Sequence, residues 1–426
     1  MTGAAPKISR RTLGAILQPH PPPWAKLVNR GSFSRTDKIS LLAHWPEDSR
    51  TSFCLYKQGG IRKGPIITAA IHHITETSLE TLAQFDAIID VRSPAEFAED
   101  HIPGAINLPV LDDAQRAEVG TIYKQVSRFK ARRIGAGYVA KNVAHHLETA
   151  LSDKPAKFHP LIYCWRGGMR SNAMATILTQ VGWRTGLLKG GYKTWRRSVV
   201  AGLRDSDDDL PLILLDGQTG TAKSDILRTL TGVQTIDLEA RANHRGSVFG
   251  GYSGTPQPHQ KYFESLLWFD LQHHDLSRPI LLEAESNRIG RCEIPKRIWN
   301  AMRHAPRISL TAPVPARVDY LMNAYADITS DQRLVDAALS RLRPFHPKDA
   351  LADWMTLAAA KDYRTLAAAL IEAHYDPLYG RSRKKDKSPT LAQISLPDLS
   401  TATFETVAKE IALVLSKAEN KEDFHG

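Results

Sequence analysis

The stretch Pro160-Leu161-Ile162-Tyr163-Cys164-Trp165-Arg166-Gly167-Gly168-Met169-Arg170-Ser171 decides how this chain is to be read. Its first four residues form a short strand-like apolar run, and N-A-M-A-T-I-L-T at 172–179 continues as an apolar helical pattern. Cys164 stands at the mouth of the turn between them. There it meets backbone N–H groups, a helix N-terminus and the guanidinium groups of Arg166 and Arg170, all of which favour thiolate over thiol. Gly167 and Gly168 permit a backbone cradle, and Arg170, six positions after the sulfur, is placed to face the same anion. A half-buried structural cysteine at a strand end is the plain alternative, and it asks for none of these neighbours.

The flanking sequence extends the pattern. Residues 87–91 (A-I-I-D-V) read as a buried strand, and Arg92-Ser93-Pro94 turns into a short helix carrying Glu96 and Phe97. Residues 101–109 (H-I-P-G-A-I-N-L-P) combine a fixed-φ proline and a permissive glycine ahead of another apolar run. This succession, D-V-R-S-P-A-E-F then H-I-P-G-A-I-N-L-P, resembles the rhodanese fold, a small doubly wound α/β domain whose active cysteine follows a central strand. Residues 187–192 (L-L-K-G-G-Y), with Trp195 beyond, resemble its last strand and closing turn, so the match spans about residues 66–200. A tight loop around the sulfur suits a persulfide or perselenide. The spacing C-x5-R from Cys164 to Arg170 is wider and is that of cysteine phosphatases, although Tyr163 stands where they usually carry His. A phosphatase, or a loop that takes a chalcogen from a phosphate-bearing donor, both remain open on spacing.

A second chemical signal follows at 212–224, L-I-L-L-D-G-Q-T-G-T-A-K-S. A buried strand pattern leads into Gly217, Thr219, Gly220, Lys223 and Ser224, which resembles a Walker A loop gripping a di- or triphosphate. Ala222 departs from that pattern, because a glycine normally precedes the lysine. The alanine costs little at negative φ and more in the left-handed region. Residues 280–286 (I-L-L-E-A-E-S) resemble a second buried strand, on which Glu283 and Glu285 are either Mg²⁺ carboxylates acting through water or ordinary strand-end charges. Between them, residues 236–252 concentrate charge, Gly and His, including His244 and Arg245. They form either a solvated loop or a segment closing over phosphate or a base, and they lack metal-ligand spacing.

Taken together, C-x-R-G-G-x-R-S, then D-L-E-x-x-A-x-H-R-G-S-x-F-G and L-E-x-E-S, resemble the bacterial tRNA 2-selenouridine synthases. Residues 116–125, 190–193 and 375–379 (Y-D-P-L-Y) agree, so the likeness covers about residues 66–420. It implies replacement of sulfur by selenium at the wobble 2-thiouridine of tRNA, using selenophosphate and passing through an intermediate geranylated by geranyl diphosphate. On the same resemblance Cys164 would hold or deliver selenium. Arg166 and Arg170, in the loop with Gly167 and Gly168, would stabilise its anion or selenophosphate. Lys223 and Ser224 would bind the prenyl diphosphate, unless selenophosphate occupies that loop instead. No tightly bound cofactor is expected. The alternative is a rhodanese-type sulfurtransferase or cysteine phosphatase fused to a nucleotide-binding domain.

The chain has 426 residues and 42% hydrophobic content, enough for two ordinary cores. The expected class is α/β: a rhodanese-like doubly wound domain at 66–205, then a P-loop NTPase-like α/β domain with helical elaborations at 206–420. Helical spacing at 316–324, 332–342, 350–373 and 404–416 and a strand at 391–396 supply the elaborations. Cys54, Cys164 and Cys292 show no CxxC spacing and fit a reducing cytoplasm. No apolar stretch reaches the ~20 residues that span a bilayer. Of the net charge of +11, residues 1–65 carry +8, from eleven Lys or Arg against three Asp or Glu. That basic extension reads as disordered, as an RNA-binding arm or as the product of an upstream start; its Ser9-Arg10-Arg11 precedes too short an apolar run for an export signal. RNA contact in the nearly neutral remainder must come from local patches, of which 124–133 (K-Q-V-S-R-F-K-A-R-R) and 381–387 (R-S-R-K-K-D-K) are the candidates.

Overall fold

The computed structural model describes residues 70–205, 209–385 and 388–419. The basic extension at 1–65, with Cys54, lies outside the described residues. Ile67–Gly426 form one compact unit.

Its first half contains β1 (Ile71–Ile74), α1 (Leu79–Leu82), β2 (Ala87–Asp90), α2 (Pro94–Glu99), β3 (Ile106–Asn107), α3 (Asp113–Gln125), α4 (Arg128–Glu148), β4 (Pro160–Tyr163), α5 (Met169–Val181), β5 (Thr185–Leu188) and α6 (Tyr192–Val200). The five strands pair in parallel in the order β1-β5-β4-β2-β3. Helices cover such a sheet on both faces, so its central strands are apolar without alternation. All four residues of β4 are buried, as are all four of β5. The D-V-R motif after β2 is an internal ion pair. Arg92 Nη2 lies 2.6 Å from Asp90 Oδ2, and the guanidinium sits 4.2 Å from the Tyr192 ring centroid.

The chain passes through a π-helical turn, Ala201–Asp205, into β6 (Leu212–Gly217), α7 (Lys223–Thr229), β7 (Gln234–Ile236), α8 (Leu238–Ala242), α9 (Gln260–Gln272) and β8 (Ile280–Glu283). A small antiparallel pair, β9 (Arg288–Ile289) and β10 (Cys292–Glu293), precedes α10 (Lys296–Met302) and β11 (Arg307–Thr311). Then come α11 (Val314–Ala324), α12 (Ala326–Thr329), α13 (Gln332–Arg341), α14 (Lys348–Ala359), α15 (Tyr363–Leu370), a second π turn at Ile371–Tyr375, α16 (Asp376–Lys385), β12 (Thr390–Ser395) and α17 (Thr401–Glu419). The second sheet is also all parallel, in the order β12-β11-β6-β8-β7. Strand β6 is central, which puts the loop after it at the crevice where open α/β sheets bind ligands.

The helical spacing at 350–373 resolves into two successive helices, because Lys361 adopts φ 57° and Asp362 caps a new one, its side chain accepting from Thr365 N–H. Each half keeps a core of its own, one around Ile162, Met174 and Leu178 and one around Leu215, Ile226 and Ile411, and a third cluster joins them. That cluster runs from Leu161, Tyr163, Leu188 and Trp195 through Leu203 to Leu212, Phe263, Leu267 and Ile280. At the seam Trp195 is fully buried and its Nε1–H donates to Ser265 Oγ at 3.1 Å. Arg196 and Arg204 both pair with buried Glu264.

Candidate active site

Cys164 follows β4 directly and is 3% exposed. Its Sγ accepts from the Gly168 N–H at 3.3 Å and from the Ser171 hydroxyl at 3.1 Å. Helix α5 begins at Met169, just after Gly168, with its positive end toward the sulfur. The closing turn after β5 clamps the loop from behind: Tyr192 N–H donates to the Cys164 carbonyl at 2.8 Å. Gly191, at φ 58°, approaches so closely that a Cβ there would stand 2.0 Å from the same carbonyl oxygen. Gly167 has φ 65° and a similar constraint, its added Cβ meeting the Leu188 carbonyl at 2.7 Å. By contrast, burial pushes the Cys292 thiol up to about 11, which leaves it an inert core residue.

The two arginines are not equivalent. Arg166 is exposed at the loop rim. Arg170, expected to face the sulfur's anion, is instead engaged by Glu96, with Nη1 to Oε2 at 2.6 Å. Burial would raise the Glu96 carboxyl, but hydrogen bonding and charge from Arg170 hold it below its usual range. Sequence reading missed both Ser171 as a sulfur partner and Glu96 as the partner of Arg170.

The second site is built on the turn from β6 into α7. Gly217 ends the strand, and a Cβ there would lie 2.6 Å from Thr221 Oγ1. Gly220 turns at φ 84° and Ala222 at φ 58°, ψ 31°. The alanine therefore does occupy the left-handed region, at a cost of about 1–2 kcal/mol for a residue with a Cβ. Lys223 is buried and donates to the Gly217 carbonyl at 2.8 Å. Burial works against its charge, yet Tyr379, Glu285, Glu239 and Asp216 hold the ammonium above its usual range. Ser224 Oγ donates to Glu239 Oε2 at 2.7 Å. The Thr219 carbonyl accepts from Arg317 Nε at 2.8 Å, and Arg317 forks onto Asp376 at 2.9 and 2.7 Å. The Y-D-P-L-Y segment is thereby tied to the loop.

Carboxylates approach from the neighbouring strand and helix. Burial, then repulsion from Glu239, pushes Glu285 up to about 8, against the pull of Lys223. Glu283 points elsewhere, accepting from the Leu238 N–H at 2.7 Å, with burial raising its carboxyl well above the usual range. The glycine after Arg245 has a steric reason: at Gly246 a Cβ would meet Glu239 Oε1 at 2.6 Å and Glu285 Oε1 at 2.8 Å.

These groups line a cavity of about 1230 Å³ that brings together Thr219, Gly220, Lys223, Ser224, Arg245 and Glu285. Glu239, from the charged segment 236–252, joins them with Tyr379 and Arg383, and so do Tyr320 and Arg307, which were not anticipated. Gly217, His244 and Glu283 do not line it. His244 takes a structural part, accepting from Gly246 N–H at 3.2 Å. Arg245 is held by Asp327 at 2.8 Å and lies over the rings of Tyr252 and Tyr325. Arg383, from the basic patch at 381–387, reaches Asp216 at 3.0 Å while its side chain stays 39% exposed. Beside this cavity is a narrow apolar niche of about 70 Å³ lined by Leu321, Ile328, Val335, Leu366 and Leu370 among others. It shares Thr219, Ser247, Leu321, Tyr325 and Tyr375 with the larger cavity. Among the described residues no group of three or more His, Cys, Asp or Glu is arranged to hold a metal, and no helix is long and apolar enough to cross a membrane.

Residues 75–198 match the rhodanese-like domain model, and residues 210–343 match the model of the tRNA 2-selenouridine synthase AAA domain. The tRNA 2-selenouridine synthase of Bdellovibrio bacteriovorus is 35% identical over 277 residues, covering 63% of this chain and 72% of that protein. The chain belongs to the tRNA 2-selenouridine synthase family. The synthase of Bordetella petrii is 31% identical over 332 residues, 70% of this chain and 87% of that protein. That of Shewanella denitrificans is 36% identical over 246 residues, covering 56% and 65%. Both sites lie within the matched spans of the two domain models, so this chain carries the cysteine loop and the phosphate loop in one polypeptide.

Proposed function

We propose that this enzyme, in the cytoplasm, replaces sulfur by selenium at the wobble 2-thiouridine of tRNA in two stages, one at each loop. In the first, the thiocarbonyl sulfur attacks C1 of geranyl diphosphate; a C–S bond forms, the C–O bond breaks, and diphosphate leaves as N3 gives up its proton. Lys223 and the N–H groups of the loop from Gly217 to Ser224 receive the diphosphate charge. Any Mg²⁺ accompanying the diphosphate would meet the Ser224 hydroxyl and the Glu239 and Glu285 carboxylates, not Glu283. In the second stage the S-geranyl group departs from C2 as selenium arrives.

Cys164 serves the second stage. A transfer that needs no redox partner has its thiolate attack phosphorus of selenophosphate, forming S–P, breaking Se–P and releasing selenide for C2; water then cleaves the S–P bond, releasing phosphate and restoring the thiol. In this reading the Gly168 N–H and the α5 N-terminus would receive the phosphate, with Arg166 exposed at the loop rim, while Arg170 stays paired with Glu96. The C-x5-R spacing suits a phosphate-bearing donor better than a bare persulfide.

The observation that carries the choice of a prenyl diphosphate over a nucleotide is the apolar niche against the phosphate loop. A nucleobase asks for hydrogen-bond partners, whereas Leu321, Ile328, Leu366 and Leu370 offer only hydrocarbon. The test is mass analysis of nucleosides from 2-thiouridine-containing tRNA incubated with enzyme, selenophosphate and geranyl diphosphate. The expected result is 2-selenouridine from the wild type, geranyl-2-thiouridine alone from Cys164→Ala, and neither from Lys223→Ala. Selenation that proceeds fully in Cys164→Ala would sink the cysteine's role, and unchanged tRNA with the wild type would move the reading to small-molecule sulfur or phosphate chemistry.

A further inference from the structure

Helices α3 and α4 form a hairpin inserted between β3 and β4, and neither the cysteine chemistry nor the phosphate loop uses it. Its root lies beside the cysteine loop, because Glu96, the partner of Arg170, also faces Arg116 of α3 at 3.8 Å, and Ala95 N–H donates to Asp113 at 3.0 Å. Thirteen residues of α3 then carry the tip about 20 Å away from that root. The tip is unlike an ordinary solvated turn. Phe129 is 75% exposed and Val126 65% exposed, and Arg128 lies 5.6 Å from the centroid of the half-exposed Tyr123 ring.

Charge around these aromatics has one sign. From Val119 to Leu147 there is no Asp or Glu, while Lys124, Arg128, Lys130, Arg132 and Arg133 gather at and just past the tip. All five are exposed, and none is in an ion pair with a described carboxylate. Five unneutralised cations interleaved with exposed rings fit a polyanion that also offers flat faces, which is RNA. An acidic protein surface would leave Phe129 unexplained.

We infer that the tip of this hairpin docks on the tRNA substrate, the basic side chains on backbone phosphates and Phe129 against an exposed base. The inference rests on the tRNA reading above and adds where the RNA is held. The root then sets the approach: RNA gripped at the tip has its modified loop delivered toward Cys164.

The test uses the full chain and 2-thiouridine-containing tRNA, with affinity measured by fluorescence anisotropy from 50 to 300 mM salt. Replacing Arg128, Lys130, Arg132 and Arg133 together by Gln is expected to weaken binding at least about 100-fold and to reduce the slope of log affinity against log salt by about 3. Phe129→Ala is expected to weaken binding about 5- to 100-fold with the salt slope unchanged. Melting temperatures of both variants should match the wild type, since every altered side chain is exposed. Wild-type affinity in a variant that folds normally overturns the inference, as does loss of binding to phosphatidylserine vesicles with tRNA affinity intact. A wild-type chain that does not bind tRNA at all would overturn the tRNA reading itself, which is a different failure.

Discussion

The hydroxyl of Ser171 stands 3.1 Å from Cys164 Sγ, closer than any other donor to that sulfur among the described residues. The same hydroxyl is 3.2 Å from the Gly168 carbonyl, so its single proton serves either the sulfur or the loop backbone. When Cys164 ionises, the proton turns to the thiolate, where a charge-assisted bond is stronger. Ser171→Ala should therefore slow selenium incorporation about 10- to 100-fold, the loss of one hydrogen bond to a charged group. Single-turnover assays that separate selenation from geranylation would check this, with geranylation unaffected.

Ala222 presents three opposing terms of similar size. Glycine would relieve about 1–2 kcal/mol of left-handed strain. It would also lose one buried methyl, about 0.8 kcal/mol, and gain unfolded-state freedom of about 0.5–1 kcal/mol. Ala222→Gly is thus expected to change stability by less than about 1 kcal/mol. Ala222→Val, β-branched at φ 58° and buried, should cost more than about 2 kcal/mol. Urea titrations of the two variants distinguish these outcomes.

Arg317 is 1% exposed and depends on Asp376 for its charge partner. Removing that carboxylate leaves a buried guanidinium, and Asp376→Ala should destabilise the protein by about 3 kcal/mol. It should also loosen the Thr219 carbonyl that Arg317 holds and weaken geranyl diphosphate binding. The paired change Arg317→Met with Asp376→Leu should recover part of the stability and none of the affinity, as calorimetry would show.

Asp100 gives a pH dependence with a definite sign. Burial lifts its carboxyl to about 6, against hydrogen bonds from Ser265 and Tyr192 that pull it down. The folded value lies above the unfolded 3.8, so between those values the native state holds more protons than the unfolded chain. Stability from this group therefore falls as pH rises through that window, by at most about 3 kcal/mol. Asp100→Asn keeps an acceptor for the Tyr192 hydroxyl, now 2.7 Å from Oδ2, and should flatten the profile. Denaturant midpoints at pH 4.5, 6 and 7.5 would measure it, and equal slopes in both proteins would count against the assignment.

The strands were readable because parallel, doubly covered strands are apolar along their whole length, as at 160–163 and 212–215. Both functional turns were readable because the cysteine and the lysine each sit between a strand and a helix pattern. Long-range pairing was not readable. Nothing in the local sequence announces that Arg170 answers to Glu96, 74 positions earlier, or that Arg383 reaches Asp216. Glu239 was visible only as part of a charged segment, since its place beside Ser224 depends on where α8 packs. The π turn at Ile371–Tyr375 was not readable either, since Ile371 and His374 continue an ordinary helical spacing.

The buried cluster that joins the two sheets bears on how such an enzyme can be taken apart. A chain ended at residue 205 would bare Trp195, Val199 and Leu203, and one begun at residue 209 would bare Phe263 and Leu267. Each fragment would carry a greasy wall where its other half belongs, and each would seek that wall in a second copy of itself. The cysteine loop and the phosphate loop thus sit on halves that share one buried seam, and cutting the chain between them exposes that seam on both sides.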